Sequence, residues 1–338
     1  MRVVTELTPE ELIAELKNMG EPAFRARQIL EWIYKKNASS WDVMSNLSKD
    51  LRRKCAEKWQ FISVEESESL KSADGTEKIL LKLNDGELIE MVVIPAENRI
   101  TFCLSTQVGC PVGCLFCASG RNGLIRNLSI HEIIGEFQIG CARIGRVPDN
   151  IVFMGIGEGL LNYDNLMGAI ERLTGEEYFG MGVRRITVST SGFVPGMLKL
   201  AELGRELNLA ISLHAPDDEI RSKIIPGKIR YPIAEIMDAA DVYREKCNRM
   251  VTLEYTLLDG INDSAANASA LAEIARRHHA KVNLIPYNDT DCEFKRPSDK
   301  KINKFEQVLD RAGVAVSVRR ERGSDQAGAC GQLRNQRS

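Results

Sequence analysis

The sequence predicts an α/β protein, a parallel sheet with helices outside it, preceded by a small helical segment. Three observations carry this prediction. From about residue 100, short apolar runs alternate with helical stretches for more than 200 residues, the pattern of a parallel sheet covered by helices. The first 60 residues or so show helical apolar spacing with no strand signal. Polar and glycine-rich clusters follow five of the predicted strands, where open α/β sheets and barrels collect their functional groups.

Within the helical segment, Pro9-Glu10-Glu11 opens a first helix, with proline and acids in the turn that favours both. A second runs from about Phe24 to Lys35 on an apolar stripe of Phe24, Ile29, Leu30 and Ile33. A third begins at Ser48, a natural cap for Lys49-Asp50-Leu51-Arg52. Residues 78–94 then read as a hairpin turning on Asn84-Asp85-Gly86. Strands are expected near 100–105, 150–154, 185–189, 208–213, 250–256, 281–286 and 314–318. Helices are expected near 130–145, 164–174, 195–205, 232–246, 264–278 and 301–312, the first opened by a capping box from Ser129 to Glu132. About six strand–helix units make a partial barrel or a doubly wound sheet, and periodicity does not choose between them.

Composition sets outer limits. The chain has 338 residues, 43% hydrophobic and 27% charged, with net charge −2, ordinary values for a globular protein. No apolar run approaches the ~20 residues of a membrane span. The charged start, Met1-Arg2-Val3-Val4-Thr5-Glu6, is unlike a secretory signal, so a cytoplasmic protein with reduced thiols is expected. From Val314 onward, Arg319, Arg320, Arg322, Arg334 and Arg337 outnumber Glu321 and Asp325; this surplus suits RNA or plain solvation equally.

The most informative stretch is Cys110-Pro111-Val112-Gly113-Cys114-Leu115-Phe116-Cys117, directly after the 100–105 strand. Sulfur ligands favour zinc, copper(I) or iron–sulfur centres. A zinc site would draw on Cys114, Cys117 and His131, but no second histidine follows at 134–137. Three thiolates can hold three irons of a cubane cluster and leave the fourth open. That is the chemistry of the radical S-adenosylmethionine (SAM) enzymes, whose commonest signature has this 3-then-2 spacing. Other strand ends carry Gly155-Ile156-Gly157-Glu158-Gly159, Ser189-Thr190-Ser191-Gly192, Ser212-Leu213-His214 and Asn288. Each has a plainer reading. The glycine run lacks the dinucleotide fingerprint and serves either as a turn or as a seat for a ligand's amino-acid end. Ser189 and Ser212 read equally as strand-end caps, and His214 as a structural histidine. His278-His279 reads as surface, and Cys55, Cys141, Cys247 and Cys292 as structural.

Taken together, Cys103 through Cys117, Gly157-Glu158, Ser189 through Pro195, Ile211 through Pro216, Asn283 through Asn288 and Ala329 through Leu333 closely resemble the RlmN-type RNA adenine methyltransferases. The likeness runs from about Phe24 to Leu333. It implies a partial (βα)6 radical SAM barrel with a small helical N-terminal domain. The expected division is an RNA-contacting helical domain at 1–75, a hairpin linker at 76–98, the radical SAM core at 99–320 and a tail at 321–338 carrying Cys330.

The resemblance further implies methylation at C2 of an adenine in 23S rRNA and possibly tRNA, with a 4Fe-4S cluster and SAM as cofactors. The cluster would sit on Cys110, Cys114 and Cys117. SAM would be bound by Gly157, Glu158, Ser189, Ser212, Leu213, His214 and Asn288. Adenine C2 is too weak a nucleophile to attack the methyl of SAM. In the implied scheme Cys330 takes a methyl from one SAM, and a radical from a second SAM removes a hydrogen from it. The resulting methylene adds to C2, and Cys103 then forms a disulfide with Cys330 to free the base. Glu90 matches the residue that removes the C2 proton, with Cys103 as a competing candidate. A monomer served by a flavodoxin or ferredoxin is expected, with no membrane partner. Two alternatives are a C8 methyltransferase of the chloramphenicol–florfenicol resistance type and a non-catalytic, zinc-stabilised RNA-binding protein.

Overall fold

A computed structural model describes residues 1–227, 229–290, 292–319, 328–329 and 331–333. Its centre is a ten-stranded sheet whose strands lie side by side in chain order. We label them β1 (Val64–Lys71), β2 (Glu77–Leu83), β3 (Leu88–Ala96), β4 (Arg99–Cys103), β5 (Asn150–Phe153), β6 (Ile186–Thr190), β7 (Asn208–Ser212), β8 (Thr252–Leu257), β9 (Lys281–Pro286) and β10 (Val316–Val318). From β4 to β10 every neighbouring pair is parallel. Each step between them is made by helix: α4 (Ile130–Ile144), α5 (Tyr163–Thr174), α6 (Val194–Glu202), α7 and α8 (Asp218–Ile224 and Ile233–Cys247), α9 (Ala265–Arg277) and α10 (Asp299–Arg311). This is a partial (βα)6 barrel, and it resolves the choice that periodicity leaves open.

Helix α4 forms where the sequence places its start and stop signals. Glu132 accepts from the Ser129 backbone N–H at 2.9 Å, and Gly145 ends α4 in the left-handed region. The outer faces of the strands and the inner faces of the helices make one apolar core. Within it Phe102 of β4 meets Phe137 of α4 edge-on, with centroids 5.9 Å apart. A Cβ at Gly140 would lie 2.5 Å from the Phe102 ring, so this helix position must be glycine. The inner faces of the strands are different. Ser189, Ser212, Thr256 and Glu254 line a polar lumen, because an incomplete barrel does not pack its interior as a closed one does.

The N-terminal helices α1 (Pro9–Asn18), α2 (Phe24–Leu30) and α3 (Lys49–Lys58) share the apolar core of the barrel. Tyr34 meets Tyr178 and Phe179 edge-on at 4.9 and 5.1 Å, joining them to the segment after α5. Ser48 caps α3 as expected, accepting from the Leu51 N–H at 3.1 Å.

Several details depart from the sequence reading. The second helix stops at Leu30 and continues as a π turn over Glu31–Lys35, and Phe24 is exposed rather than part of the stripe. Strand β1 falls within the segment expected to be helical. Its run Val64-Glu65-Glu66-Ser67-Glu68 has no apolar alternation, because it is an edge strand with one wet side. Helix α7 is short and rests on its Asp217 cap, which accepts from the Ile220 N–H at 2.7 Å. The hairpin β2–β3, read as a linker, is built into the main sheet through antiparallel pairing of β3 with β4. His278 is not a free surface residue; its Nδ1 lies 2.7 Å from Asp241.

Candidate active site

At the C-terminal ends of the parallel strands a single cavity offers about 960 Å3 of atom-free space, its mouth included. Cys110, Cys114 and Cys117 stand on one side of it; Gly157, Glu158, Ser189, Ser212, His214 and Asn288 stand on the others. Residues from five separate strand ends therefore meet at one place. Leu213 is the exception among the expected contacts: it is buried but does not line the cavity.

The cysteine loop leaves β4 through a two-stranded turn, Gln107–Gly109 against Leu124–Asn127. It is pinned on both flanks, by Cys110 N–H to Gly123 O at 3.0 Å and by Leu115 N–H to Ile224 O at 3.0 Å. Burial pushes the Cys110 thiol up to about 12 and the Cys114 and Cys117 thiols upward as well, with the neighbouring thiols adding like-charge repulsion. Thiols in this setting become thiolates only beside a strong cation. Among the described residues no three acidic, histidine or cysteine side chains form a preformed metal cage. The fit to a cluster thus rests on donor chemistry: three sulfurs sharing one cavity wall. Arg221 lies beneath this loop, the largest fully buried side chain among the described residues. Its Nε donates to Leu213 O at 3.2 Å and its Nη2 to Ser191 O, tying the turns after β6 and β7 together.

The glycine-rich turn after β5 is shaped by Gly157, at φ 115°. A Cβ there would approach the Gln107 side chain to 2.7 Å, so any other residue strains the backbone and clashes. Gln107 Oε1 accepts from the Glu158 N–H at 2.8 Å. The Glu158 carboxylate, 3% exposed, accepts from Ser191 N–H at 2.6 Å and Leu160 N–H at 3.3 Å. Desolvation raises its pKa, and these hydrogen bonds pull it back. The glycine run is more than a turn, since it presents a buried acid to the cavity.

His214 has φ 58° and packs edge-on against Phe116 with centroids 4.9 Å apart. Its Nδ1 accepts from the Thr256 N–H at 3.0 Å. Burial drives its pKa down to about 3, so the ring is neutral at physiological pH. Both plain and functional readings apply to it: the ring ties β7 to β8 and also faces the cavity. Sequence reasoning passed over Glu254, a buried acid on β8 that accepts from Asn283 Nδ2 at 2.7 Å and lines the lumen. Its position inside a strand hid it.

Cys103 and Glu90 occupy the inner face of the sheet beside the cavity. Cys103 clusters with Val92, Ile156 and Leu333, and Leu333 also lines the cavity. Glu90 is buried, with its carboxylate 3.1 Å from Lys78. Cys330 lies outside the described residues. Its chain neighbours hold to the cysteine loop and to the segment after β9: Ala118 N–H donates to Gly331 O at 2.8 Å, and Gln332 Nε2 donates to Asp289 O at 2.8 Å. Cys55, Cys110, Cys114, Cys117, Cys141, Cys247 and Cys292 are free thiols among the described residues. Cys55, Cys141 and Cys247 are buried, whereas Cys292 is half-buried and accepts from Arg121 at 3.0 Å.

A partial (βα)6 barrel with a three-cysteine loop after its first parallel strand defines a radical SAM enzyme, and the Radical SAM superfamily profile matches residues 104–271. A second profile, described as the ribosomal RNA large subunit methyltransferase N-terminal domain, matches residues 4–60. A protein of Akkermansia muciniphila named "Probable dual-specificity RNA methyltransferase RlmN" is 45% identical over 98% of this chain and 95% of its own length. One of Opitutus terrae, similarly named, is 47% identical over 98% and 94%. The crystal structure of a radical SAM methyltransferase from Sphaerobacter thermophilus superposes with a TM-score of 0.94 at 43% identity, covering 98% of this chain and 99% of that one. The chain belongs to the RlmN family of radical SAM methyltransferases. Its cofactors are accordingly a 4Fe-4S cluster and SAM.

Proposed function

We propose that this enzyme methylates C2 of an adenine in 23S rRNA, and in tRNA as well, by way of a methylated Cys330. The single observation that carries the reading is the convergence of the three-cysteine loop, the Glu158 turn and the His214 turn on one cavity, with Cys103 and Glu90 on the adjoining inner face. The RNA substrate follows from the names of the relatives and from the N-terminal profile.

In this reading Cys110, Cys114 and Cys117 hold the cluster, which supplies the electron that cleaves SAM and so gives access to a hydrogen-abstracting radical. Glu158, with the backbone of Gly157, holds the amino-acid end of SAM, while Ser189, Ser212, His214 and Asn288 surround the remainder. Cys330 thiolate acts first as a nucleophile toward the SAM methyl, a displacement suited to soft sulfur. Cys103 thiolate later attacks the Cys330 sulfur and releases the product. Glu90 takes the C2 proton. The helical segment and the arginines near the C-terminus bind RNA.

Free thiols favour a reducing compartment, and no helix among the described residues is long and apolar enough to cross a membrane. A cytoplasmic monomer served by flavodoxin or ferredoxin completes the reading. Mass spectrometry of rRNA and tRNA nucleosides from a strain lacking the gene tests it. Loss of 2-methyladenosine from both RNAs is expected. Loss of 8-methyladenosine instead, or an unchanged nucleoside profile, overturns it.

A further inference from the structure

Strand register places a row of functional side chains on the inner face beside the cavity. Lys78 of β2 lies opposite Val92 of β3, Val92 lies opposite Cys103 of β4, and Cys103 lies opposite Val152 of β5. Side chains alternate along a strand, so Glu90, two residues before Val92, shares this face. Lys78 Nζ stands 3.1 Å from Glu90 Oε1, and the two side chains are only 5% and 2% exposed. A lysine is rarely buried so fully without a reason of this kind.

Another carboxyl group of the same chain reveals what burial does without a closely paired cation. Glu136 has its pKa raised by desolvation, although the Ser105 backbone N–H donates to it. A carboxyl group that keeps its proton is unable to accept another.

We propose that Lys78 is a positioning residue for proton removal: its ammonium fixes the Glu90 carboxylate beside Cys103 and keeps it available to accept the proton from the substrate carbon. This rests on the reading of Glu90 as the base. In the step concerned the carbon–hydrogen bond breaks and an O–H bond forms on Glu90, while the electron pair stays with the substrate ring. Lys78 keeps its own proton. The pair passes from net zero to one positive charge, so the ammonium also favours return of the new proton to solvent before the next cycle.

Other groups flank Glu90 on the adjoining strands. From β4 it is faced by the Cys103 thiol. On β1, Glu68 lies opposite Leu80 and is exposed to solvent. Ser105 Oγ binds the Glu90 carbonyl at 2.8 Å and not its carboxylate. Glu136 approaches Ser105 from the helix side of the sheet.

The test compares Lys78→Gln, Lys78→Met, Lys78→Arg and Glu90→Gln in the full, cluster-loaded enzyme. Two quantities are read: the acid limb of the pH–rate profile for methylation, and the pH titration of the Glu90 carboxyl band by difference infrared spectroscopy on RNA-free protein. The band is assigned by its loss in Glu90→Gln. The neutral Lys78 variants should shift both upward by about one pH unit, which is roughly tenfold slower turnover on the acid limb. Their SAM cleavage should persist, and Lys78→Arg should restore the wild-type profile. An unchanged limb and band in Lys78→Gln overturn the inference. Should the neutral variants fail to fold, the wild-type titration still decides: Glu90 must be ionised at neutral pH, and a protonated carboxyl there overturns the inference. Full turnover by Glu90→Gln is a different result, which removes the base assignment itself.

Discussion

The Glu158 carboxylate accepts the Ser191 backbone N–H at 2.6 Å, locking the glycine-rich turn after β5 to the serine-rich turn after β6. Two strand ends distant in sequence thus become one wall of the cavity. The second oxygen of Glu158 is engaged by Leu160 N–H at 3.3 Å, so the carboxylate is held in place before any ligand arrives.

That arrangement predicts a binding defect in Glu158→Gln. The amide NH2 would face a backbone donor, and the negative charge that meets an ammonium group would be gone. Hydrogen bonds involving a charged partner are worth about 1.5–3 kcal/mol. SAM affinity, measured by isothermal titration on the cluster-loaded protein, should fall by roughly ten- to a hundredfold, with the fold intact by circular dichroism.

Cys114→Ala should abolish the iron–sulfur absorbance of the anaerobically purified protein and all SAM cleavage. The thiol shares the cavity wall with Cys110 and Cys117, and no other cysteine among the described residues lines the cavity in its place. Retained cleavage would remove the cluster from these three residues.

Cys103→Ala and Cys330→Ala should fail differently. Without Cys103 the enzyme should accumulate a covalent RNA–protein adduct through Cys330, visible as a shifted band on a denaturing gel. Without Cys330 neither adduct nor methylated base should form. Normal turnover by either variant would end the two-thiol scheme.

Glu136 gives a pH-dependent stability prediction. It is buried, its Oε2 accepts from the Ser105 N–H at 2.9 Å, and its Oε1 has no hydrogen-bond partner. Desolvation raises its pKa well above 4.5. The folded state therefore keeps a proton that the unfolded chain releases above about 4.5, and stability falls as pH rises from there toward the folded pKa. The slope is at most about 1.4 kcal/mol per pH unit. Glu136→Gln keeps the acceptor and has no proton to lose. Its melting temperature relative to the wild type should climb as pH rises above about 4.5.

Much of this was legible in the sequence, for physical reasons. The strand–helix alternation from β4 to β10 is strong because each parallel strand is covered by helix and must be apolar on its outer face. The Cys110, Cys114 and Cys117 spacing is local, and so is the link between Gly157 and its tight turn. What the sequence hid are groups inside strands. Lys78 sits in Lys78-Ile79-Leu80-Leu81-Lys82, where alternation assigns lysine to the solvent side. On the inner face of the sheet it meets Glu90, so the same alternation buries it. Glu254 was missed for that reason too. Arg221 was unreadable because its partners are the carbonyls of Leu213, Ser191 and Tyr231, which only the folded turns bring together.

The central claim is that the new carbon reaches RNA as a methylene carried by Cys330 and not as an intact methyl group. Reaction of the cluster-loaded enzyme with SAM bearing a CD3 group, followed by mass spectrometry of the RNA nucleosides, tests it directly. Carriage through methylated Cys330 with loss of one hydrogen predicts methyladenosine containing two deuteriums. Methyladenosine retaining all three would show direct methyl transfer and contradict the account.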